Sequence, residues 1–415
     1  MLRSITLRNF KSFEDVTLDL SAGPGSIKRC AFIYGENGSG KSTIIDAMFF
    51  VLAVSGRFVK FRPDGKSMAE DSEASKRLAK SMRMIDAEGN MSINLDVRIE
   101  GSDTKYQIEF DSEGSIVKES LEGVVNSRSG RLFCLEKGKD PYYARGLVKD
   151  ARFRSDIRSG VSQYWGNRSF VRILMDDLRG SNREFLSDNL NGSLLGFMEW
   201  LDSVVVESKT FIIDNQQGIL LPNGSIKLED ERHLDLVEHV ISKFFSRLYS
   251  DVVKAFFDKK RNGGVIEYRL IFRKRISGKL RDVPAEWESG GTLRMISVMG
   301  VLLSSIKGRT VFVDEIDSGI HDLLITSVME QTIPEIKGQL IAATHNTCLM
   351  DALTPNSVYV IGIDRKGYKD IRCVSSIERI QKNNSIRHKY YEGNFLGIPY
   401  VADLGMSELA DEGEE

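Results

Sequence analysis

The most specific chemistry in the sequence lies in Gly35-Glu36-Asn37-Gly38-Ser39-Gly40-Lys41-Ser42-Thr43, which fits G-x-x-x-x-G-K-[ST] in full. The glycines let backbone N–H groups converge on a phosphate. A helix starting at the end of the loop adds the positive end of its dipole. The Lys41 ammonium reaches the outer phosphates, and the Ser42 hydroxyl is a ligand for Mg²⁺. The ligand implied is a phosphate chain with Mg²⁺. The competing reading is a chance glycine turn before a core helix. The flanks argue against it: an apolar run of strand type ends at Tyr34, and Ile44 to Leu52 is long and apolar enough for a buried helix.

A second set of groups lies far downstream. Thr310-Val311-Phe312-Val313-Asp314-Glu315 reads as a buried strand ending in two carboxylates. Asp314 suits the outer shell of Mg²⁺, and Glu315 suits polarising an attacking water. Ile316 to His321 would turn back into the site. Gln339 to Asn346 reads as another core strand, ending in Thr344-His345, with His345 able to donate to the γ-phosphate. Between these, Glu288-Ser289-Gly290-Gly291-Thr292 precedes a helical run to Ile306, placing a hydroxyl and close backbone at a helix N-terminus. Each piece alone has a bland reading: an acidic turn, a satisfied histidine, a common glycine pair. Their occurrence together, in this order after a phosphate loop, favours one nucleotide site.

The elements that must position these groups are legible in part. Leu2 to Leu7 and Val16 to Leu20 alternate as paired strands around Arg8 to Phe13. Met91 to Ile99, Lys105 to Phe110, Ile116 to Val125 and Arg131 to Leu135 continue as an antiparallel β-subdomain, after a polar loop and short helix over Ser55 to Glu88. Apolar residues then recur at helical spacing in Phe170–Leu178, Leu194–Leu201 and Leu234–Ile241. An inserted helical lobe is expected there, without the heptads of a coiled-coil arm. The expected division is 1–149 and 259–405 for the two parts of the ATPase lobe, 150–258 for the helical lobe and 406–415 for an acidic tail. Lys259-Lys260-Arg261, Arg273-Lys274-Arg275, Lys279 and Arg281 form the densest basic cluster. It reads either as the solvated face of a hairpin or as a phosphate-backbone surface for DNA or RNA.

Composition bounds the rest. A chain of 415 residues can bury a large core, and a net charge of −2 means that any nucleic-acid surface must be local. Four scattered cysteines without CxxC spacing argue for reduced thiols rather than a metal site or disulfide framework. No signal-peptide pattern or membrane-length apolar run is present, so the expected location is cytoplasmic, with no membrane segment.

Taken in order, these motifs resemble the ABC-type ATPase superfamily. The similarity is closest to the stand-alone "AAA family ATPase" proteins of the RecF/SMC/OLD-like group, many tied to phage defence and abortive infection. It rests on Leu7 to Phe13, the phosphate loop, Glu288 to Thr292, Val313 to His321, Ala343 to Asn346 and the ending Tyr391 to Tyr400. The fold implied is α/β: a P-loop NTPase of ABC-ATPase type, with a mixed central sheet, an antiparallel β-subdomain and an inserted helical lobe. The activity implied is hydrolysis of ATP in a head-to-tail, ATP-dependent homodimer. Lys41, Ser42, Asp314, Glu315 and His345 would act in cis with the rest of the loop. Ser289, Gly290 and Gly291 would cap the partner's γ-phosphate, Asp317 would couple the two sites, and Lys11 and Ser12 would border the nucleotide. The glutamine that usually joins the lobes is open between Gln107 and Gln163. No nuclease domain follows the motifs, which implies a separate effector, a nuclease or toxin. A transporter cassette is the alternative, disfavoured by the long chain between phosphate loop and signature. A scaffold without turnover is disfavoured by Glu315 and His345.

Overall fold

The computed structural model describes residues 1–57, 59–61, 72–178, 183–208, 211–213, 221–378, 385–395 and 397–398. The acidic tail 406–415, Pro399 and Tyr400 lie outside the described residues, as does most of the loop expected before residue 72.

The apolar run before the phosphate loop becomes the strand Cys30–Gly35, near the middle of a six-stranded sheet. The strand order is Val205–Glu207, Thr310–Val313, Gln339–Ala343, Cys30–Gly35, Val358–Ile363 and Lys369–Cys373. The strands are parallel except for the last pair. Such a sheet needs cover on both faces, and the alternation of side chains supplies it. Ala31 and Ile33 belong to one hydrophobic core, while Cys30, Phe32 and Tyr34 belong to the other. Parallel pairing of Val313 with Ala342 and of Ala343 with Ile33 brings three strand ends to one edge. Asp314, Thr344 and the phosphate loop therefore emerge side by side, where open α/β sheets bind ligands.

The expected β-subdomain is a seven-stranded antiparallel sheet. Its order is Phe13–Asp19, Leu2–Phe10, Met91–Ile99, Ser102–Phe110, Ile116–Val125, Arg128–Glu136 and Tyr142–Tyr143. Its apolar face packs on the helix Lys41–Val54, whose residues are buried almost all round. The helices Ala151–Tyr164, Phe170–Leu178 and Gly192–Ser203 join that same core.

The stretch 150–258 is not helical throughout. Val205–Glu207 forms the edge strand of the central sheet, paired with the strand Thr310–Val313. The helix Glu231–Leu248 packs instead against a separate antiparallel sheet of Asn223–Lys227, Val265–Ile276, Val252–Asn262 and Lys279–Pro284, on the other core. The expected lobe is thus divided between the two faces of the central sheet. A three-residue apolar run carries no periodicity, and its pairing partner lies far along the chain, so the sequence pattern does not reveal it.

One carboxylate ties the lobe to the β-subdomain. Glu119 is fully buried and accepts from Tyr106 Oη at 2.9 Å, Trp165 Nε1 at 3.2 Å and the backbone N–H of Phe170 at 2.6 Å. Burial pushes its pKa up to about 7, against the pull of these donors. Glu119→Ala would leave the donors facing an apolar cavity. We expect it to cost about 3 kcal/mol or more, read as a fall in the denaturant midpoint, with Glu122→Ala as the mild control. A Glu119→Ala midpoint equal to that of Glu122→Ala would show that these donors find other acceptors. The raised pKa also has a sign. Because the folded state holds the proton more tightly than the unfolded chain, this contribution is complete below about pH 4.5 and is lost as pH rises through about 7.

Candidate active site

The phosphate loop turns into its helix at Gly40, which has φ 113°. A Cβ there would come within 2.6 Å of the Phe13 ring and 3.1 Å of Ser12 Oγ, so only glycine fits both the conformation and the space. Ser12 therefore lies against the loop at Gly40. Lys11, also expected at the nucleotide, sends its Nζ to Asp46 Oδ2 at 2.6 Å on the flank of the phosphate-loop helix. Asp46 belongs to no motif, and it is nearly as buried as the core around it.

Lys41 is 6% exposed and donates to the carbonyls of Gly35 and Glu36, both at 2.7 Å. Burial lowers its pKa to about 8, opposed by the negative charges of Glu315, Asp314, Asp317 and Glu36. The two downstream carboxylates and Asp317 are thus close enough to act on the charge of the lysine. Ser42 Oγ donates to Asp314 Oδ1 at 3.0 Å, closing the link between loop and carboxylate strand. Asp314 is buried and Glu315 half-buried. Two buried oxygens here have no hydrogen-bond partner among the described residues: Ser39 Oγ inside the loop and Asp317 Oδ1 in the following turn. Polar atoms of this kind are rarely left alone in a native interior. A loop of converging amides, a buried cation and a hydroxyl–carboxylate pair of hard oxygens fit a triphosphate with Mg²⁺.

Ser289 caps the helix Gly290–Ile306, its Oγ accepting from Thr292 N at 3.2 Å. Ser289 and Gly290 are exposed. Gly291 is packed: a Cβ would sit 2.3 Å from the Gly319 carbonyl, in the turn that carries Asp317. His345 is exposed just beyond the strand Gln339–Ala343, beside Asn346, whose Nδ2 donates to Asp322 at 3.1 Å. Gln107 is bonded to Glu109 on its own strand, and Gln163 is exposed on the helix Ala151–Tyr164. Neither contacts the phosphate loop among the described residues.

Several groups were not found by sequence reasoning. Lys369 Nζ donates to the Gly38 carbonyl at 2.7 Å from the edge strand. Arg294 donates to the carbonyls of Asp314 and Glu315 at 2.9 and 3.0 Å and is paired with Glu207. No motif marks these residues; only the sheet order brings them to the loop and the carboxylates.

Four of the eight cations in the basic cluster pair with carboxylates among the described residues. Arg273 is bidentate to Asp282 at 2.7 and 2.8 Å, and Lys274 lies 3.0 Å from both Asp251 and Glu288. Lys259 pairs with Asp235, Arg261 with Glu231 and Arg269 with Glu286. Arg275, Lys279 and Arg281 remain exposed around the turn of the hairpin. These pairs fit the solvated-face reading for half of the cluster, with carboxylates supplied by neighbouring elements.

A family profile described as "AAA domain, putative AbiEii toxin, Type IV TA system" matches residues 30–351. That span runs from the phosphate-loop strand past the Thr344-His345 pair. The Chromosome partition protein Smc of Methanocaldococcus jannaschii is 49% identical over 51 residues, which is 12% of this chain and 4% of that protein. Among solved structures, an Smc head bound to the C-winged helix domain of ScpA is 15% identical, with a TM-score of 0.49, covering 89% of this chain and 97% of that one. The SMC head domain from Thermotoga maritima is 17% identical, with a TM-score of 0.38, covering 90% and 98%. No helix among the described residues is long and apolar enough to cross a membrane. The phosphate loop and the carboxylate strand stand on one mixed sheet with the helix Gly290–Ile306 beside them, and the profile spans all three: the chain is an α/β P-loop NTPase and belongs to the family of AAA domains described as putative AbiEii toxins.

Proposed function

We propose that the protein is an ATP-hydrolysing switch that closes as a head-to-tail homodimer, serving phage defence or DNA maintenance with a separate effector. The observation that carries this reading is the Ser42–Asp314 contact at 3.0 Å, with Lys41 set among Glu315, Asp314 and Asp317. Lys41 would hold the β- and γ-phosphates, and Ser42 with Asp314 would hold Mg²⁺. The metal, when bound, neutralises charge on the phosphates. Glu315 would orient the attacking water, and His345 would donate to the γ-phosphate. Gly35, Glu36, Asn37, Gly38, Ser39, Gly40 and Thr43 complete the cradle. Exposed Ser289 and Gly290, with Gly291 behind them, present helix amides outward, which suits capping the γ-phosphate of a second copy. Asp317, in the turn against Gly291, would couple the two sites. The transporter reading finds no support in the family match. A nucleic-acid contact, if made by this hairpin, falls to Arg275, Lys279 and Arg281; salt-independent binding by an Arg275→Glu variant would remove it from consideration.

The test is light scattering with phosphate release. ATP with Mg²⁺ should double the mass and then be hydrolysed. A protein that hydrolyses ATP while remaining monomeric at every stage would end the closing-dimer reading.

The buried lysine adds a pH signature. Below about pH 8 the Lys41 ammonium is charged and ready for phosphate. Above it the free lysine loses its proton, and ATP must restore that proton on binding. We expect the Kd for a non-hydrolysable ATP analogue to rise by up to about tenfold per pH unit above 8. Calorimetry in buffers of different ionisation enthalpy should show proton uptake approaching one. A flat Kd up to pH 9.5 would return Lys41 to an ordinary lysine.

A further inference from the structure

We propose that Arg294 is a positioning residue for Glu315, tying the helix that begins at Ser289 to the backbone that aims the water-orienting carboxylate. The inference rests on the reading of Glu315 given above.

Arg294 Nη2 donates to the carbonyl oxygen of Asp314 at 2.9 Å and to that of Glu315 at 3.0 Å. The first carbonyl belongs to the peptide plane before the Glu315 Cα, and the second to the plane after it. Fixing both planes fixes the direction of the Glu315 Cβ. That residue needs fixing, because Glu315 has φ 43°. A side chain in the left-handed region costs on the order of 1–3 kcal/mol and persists only where its surroundings impose it. The other arm of the guanidinium pairs with Glu207, which is 3% exposed at the end of the edge strand. The Glu207 carbonyl in turn accepts from Asp314 N at 2.8 Å. The turn that bears Glu315 is therefore gripped from the central sheet and from the signature helix.

An arginine suits this task and a lysine does not. Its planar fork can hold a carboxylate with one arm and reach two carbonyls with the other, whereas an ammonium is a single point of charge. Arg294 lies five residues beyond Ser289, about 7.5 Å along the helix axis. Any shift of that helix when an anion seats at Ser289 is carried to the peptide planes of Glu315. The same helix is pressed against the Asp317 turn through Gly291 and Gly319, so it touches both sides of the carboxylate loop.

The test must separate aim from folding. Removing Arg294 alone would take the guanidinium away from the buried Glu207 carboxylate, so the main variant is the double change Arg294→Met with Glu207→Met, an apolar pair of similar volume. It should fold, bind ATP with a Kd within about twofold of wild type and lose about 10- to 100-fold in kcat. Arg294→Lys keeps the positive charge for Glu207 but loses the fork, and should show a similar fall in kcat with little change in KM. In a Glu315→Gln background the double change should lower the residual rate by less than about twofold, because both act through one carboxylate. Wild-type kcat in Arg294→Lys, or an undiminished effect of the double change in the Glu315→Gln background, would overturn the proposal. A wild-type rate for Glu315→Gln itself is a different failure, and would remove the reading of Glu315 on which this one stands.

Discussion

Glu315→Gln is expected to bind ATP, close as a dimer and then stop. Phosphoryl transfer to water asks the protein for position and charge rather than covalent chemistry. Glu315 follows Asp314 directly in a left-handed backbone conformation; Asp314 is bonded to Ser42, and the Glu315 charge acts on Lys41. The amide keeps the shape and one acceptor oxygen and loses the charge that draws a proton from water. Loss of such a group costs about 10²–10⁴-fold in rate, or roughly 3–5 kcal/mol of barrier. Lys41, Ser42 and Asp314 are untouched, so the Kd for ATP should stay within about twofold, and the closed dimer should accumulate because it no longer reopens. Asp314→Asn should fail earlier. It removes a carboxylate bonded to Ser42 and weakens the Mg²⁺-dependent step itself, so the rate should recover partly at high Mg²⁺. Size-exclusion chromatography with light scattering, run beside a phosphate-release assay, reads both variants. A wild-type turnover rate for Glu315→Gln would place the base elsewhere. An inactive variant that never dimerises with ATP would leave Glu315 catalytic and remove closure by ATP.

What the sequence revealed of this site is what lies within a few consecutive residues. The phosphate loop, Ser289 to Thr292 and Asp314-Glu315 each carry their chemistry in one short run. Burial of the strand Thr310–Val313 and of the helix Lys41–Val54 follows from unbroken apolar stretches. The antiparallel β-subdomain was legible because its strands alternate and neighbours in sequence are neighbours in the sheet. Legibility ended where pairing is non-local. Val205–Glu207 is too short to announce itself, and only its register with Val311 to Val313 brings Glu207 to Arg294. Lys369 reaches Gly38 because the last strand closes the sheet edge next to the phosphate-loop side. Lys11 was assigned to the nucleotide from its motif, yet Asp46, on another element, takes its ammonium. The basic hairpin stayed open between two readings for a related reason: counting cations along the chain omits the carboxylates that folding places opposite them.

Ser289→Arg is expected to abolish turnover without abolishing ATP binding, and to be rescued in part by a second defective copy. Ser289 is exposed and its side chain caps its own helix, so the substitution costs about 1 kcal/mol of capping and leaves the fold standing. The cis groups are untouched, and ATP should bind the monomer with a Kd within about twofold of wild type. Gly290 has open space beside it, while Gly291 is already packed on Gly319, so the long side chain has only the outward seat to occupy. That seat is where the helix amides would meet a partner's γ-phosphate. Removing preorganised donors from a developing charge costs about 10²–10³-fold in rate, and blocking closure adds to it. Lys41→Ala fails for the opposite reason, with its signature intact and its own phosphate loop disabled. In a mixed dimer the phosphate loop of the Ser289→Arg copy faces the intact signature of the Lys41→Ala copy. One of the two sites is then whole. Random assortment predicts recovery of about a quarter of the wild-type sites, rising toward a half if neither homodimer can close. Phosphate release from the mixture, set against the sum of the separate variants, reads the outcome. Normal hydrolysis by Ser289→Arg alone would mean that no copy lends its signature to another. An inactive Ser289→Arg that the Lys41→Ala copy cannot rescue would place Ser289 within its own subunit's site.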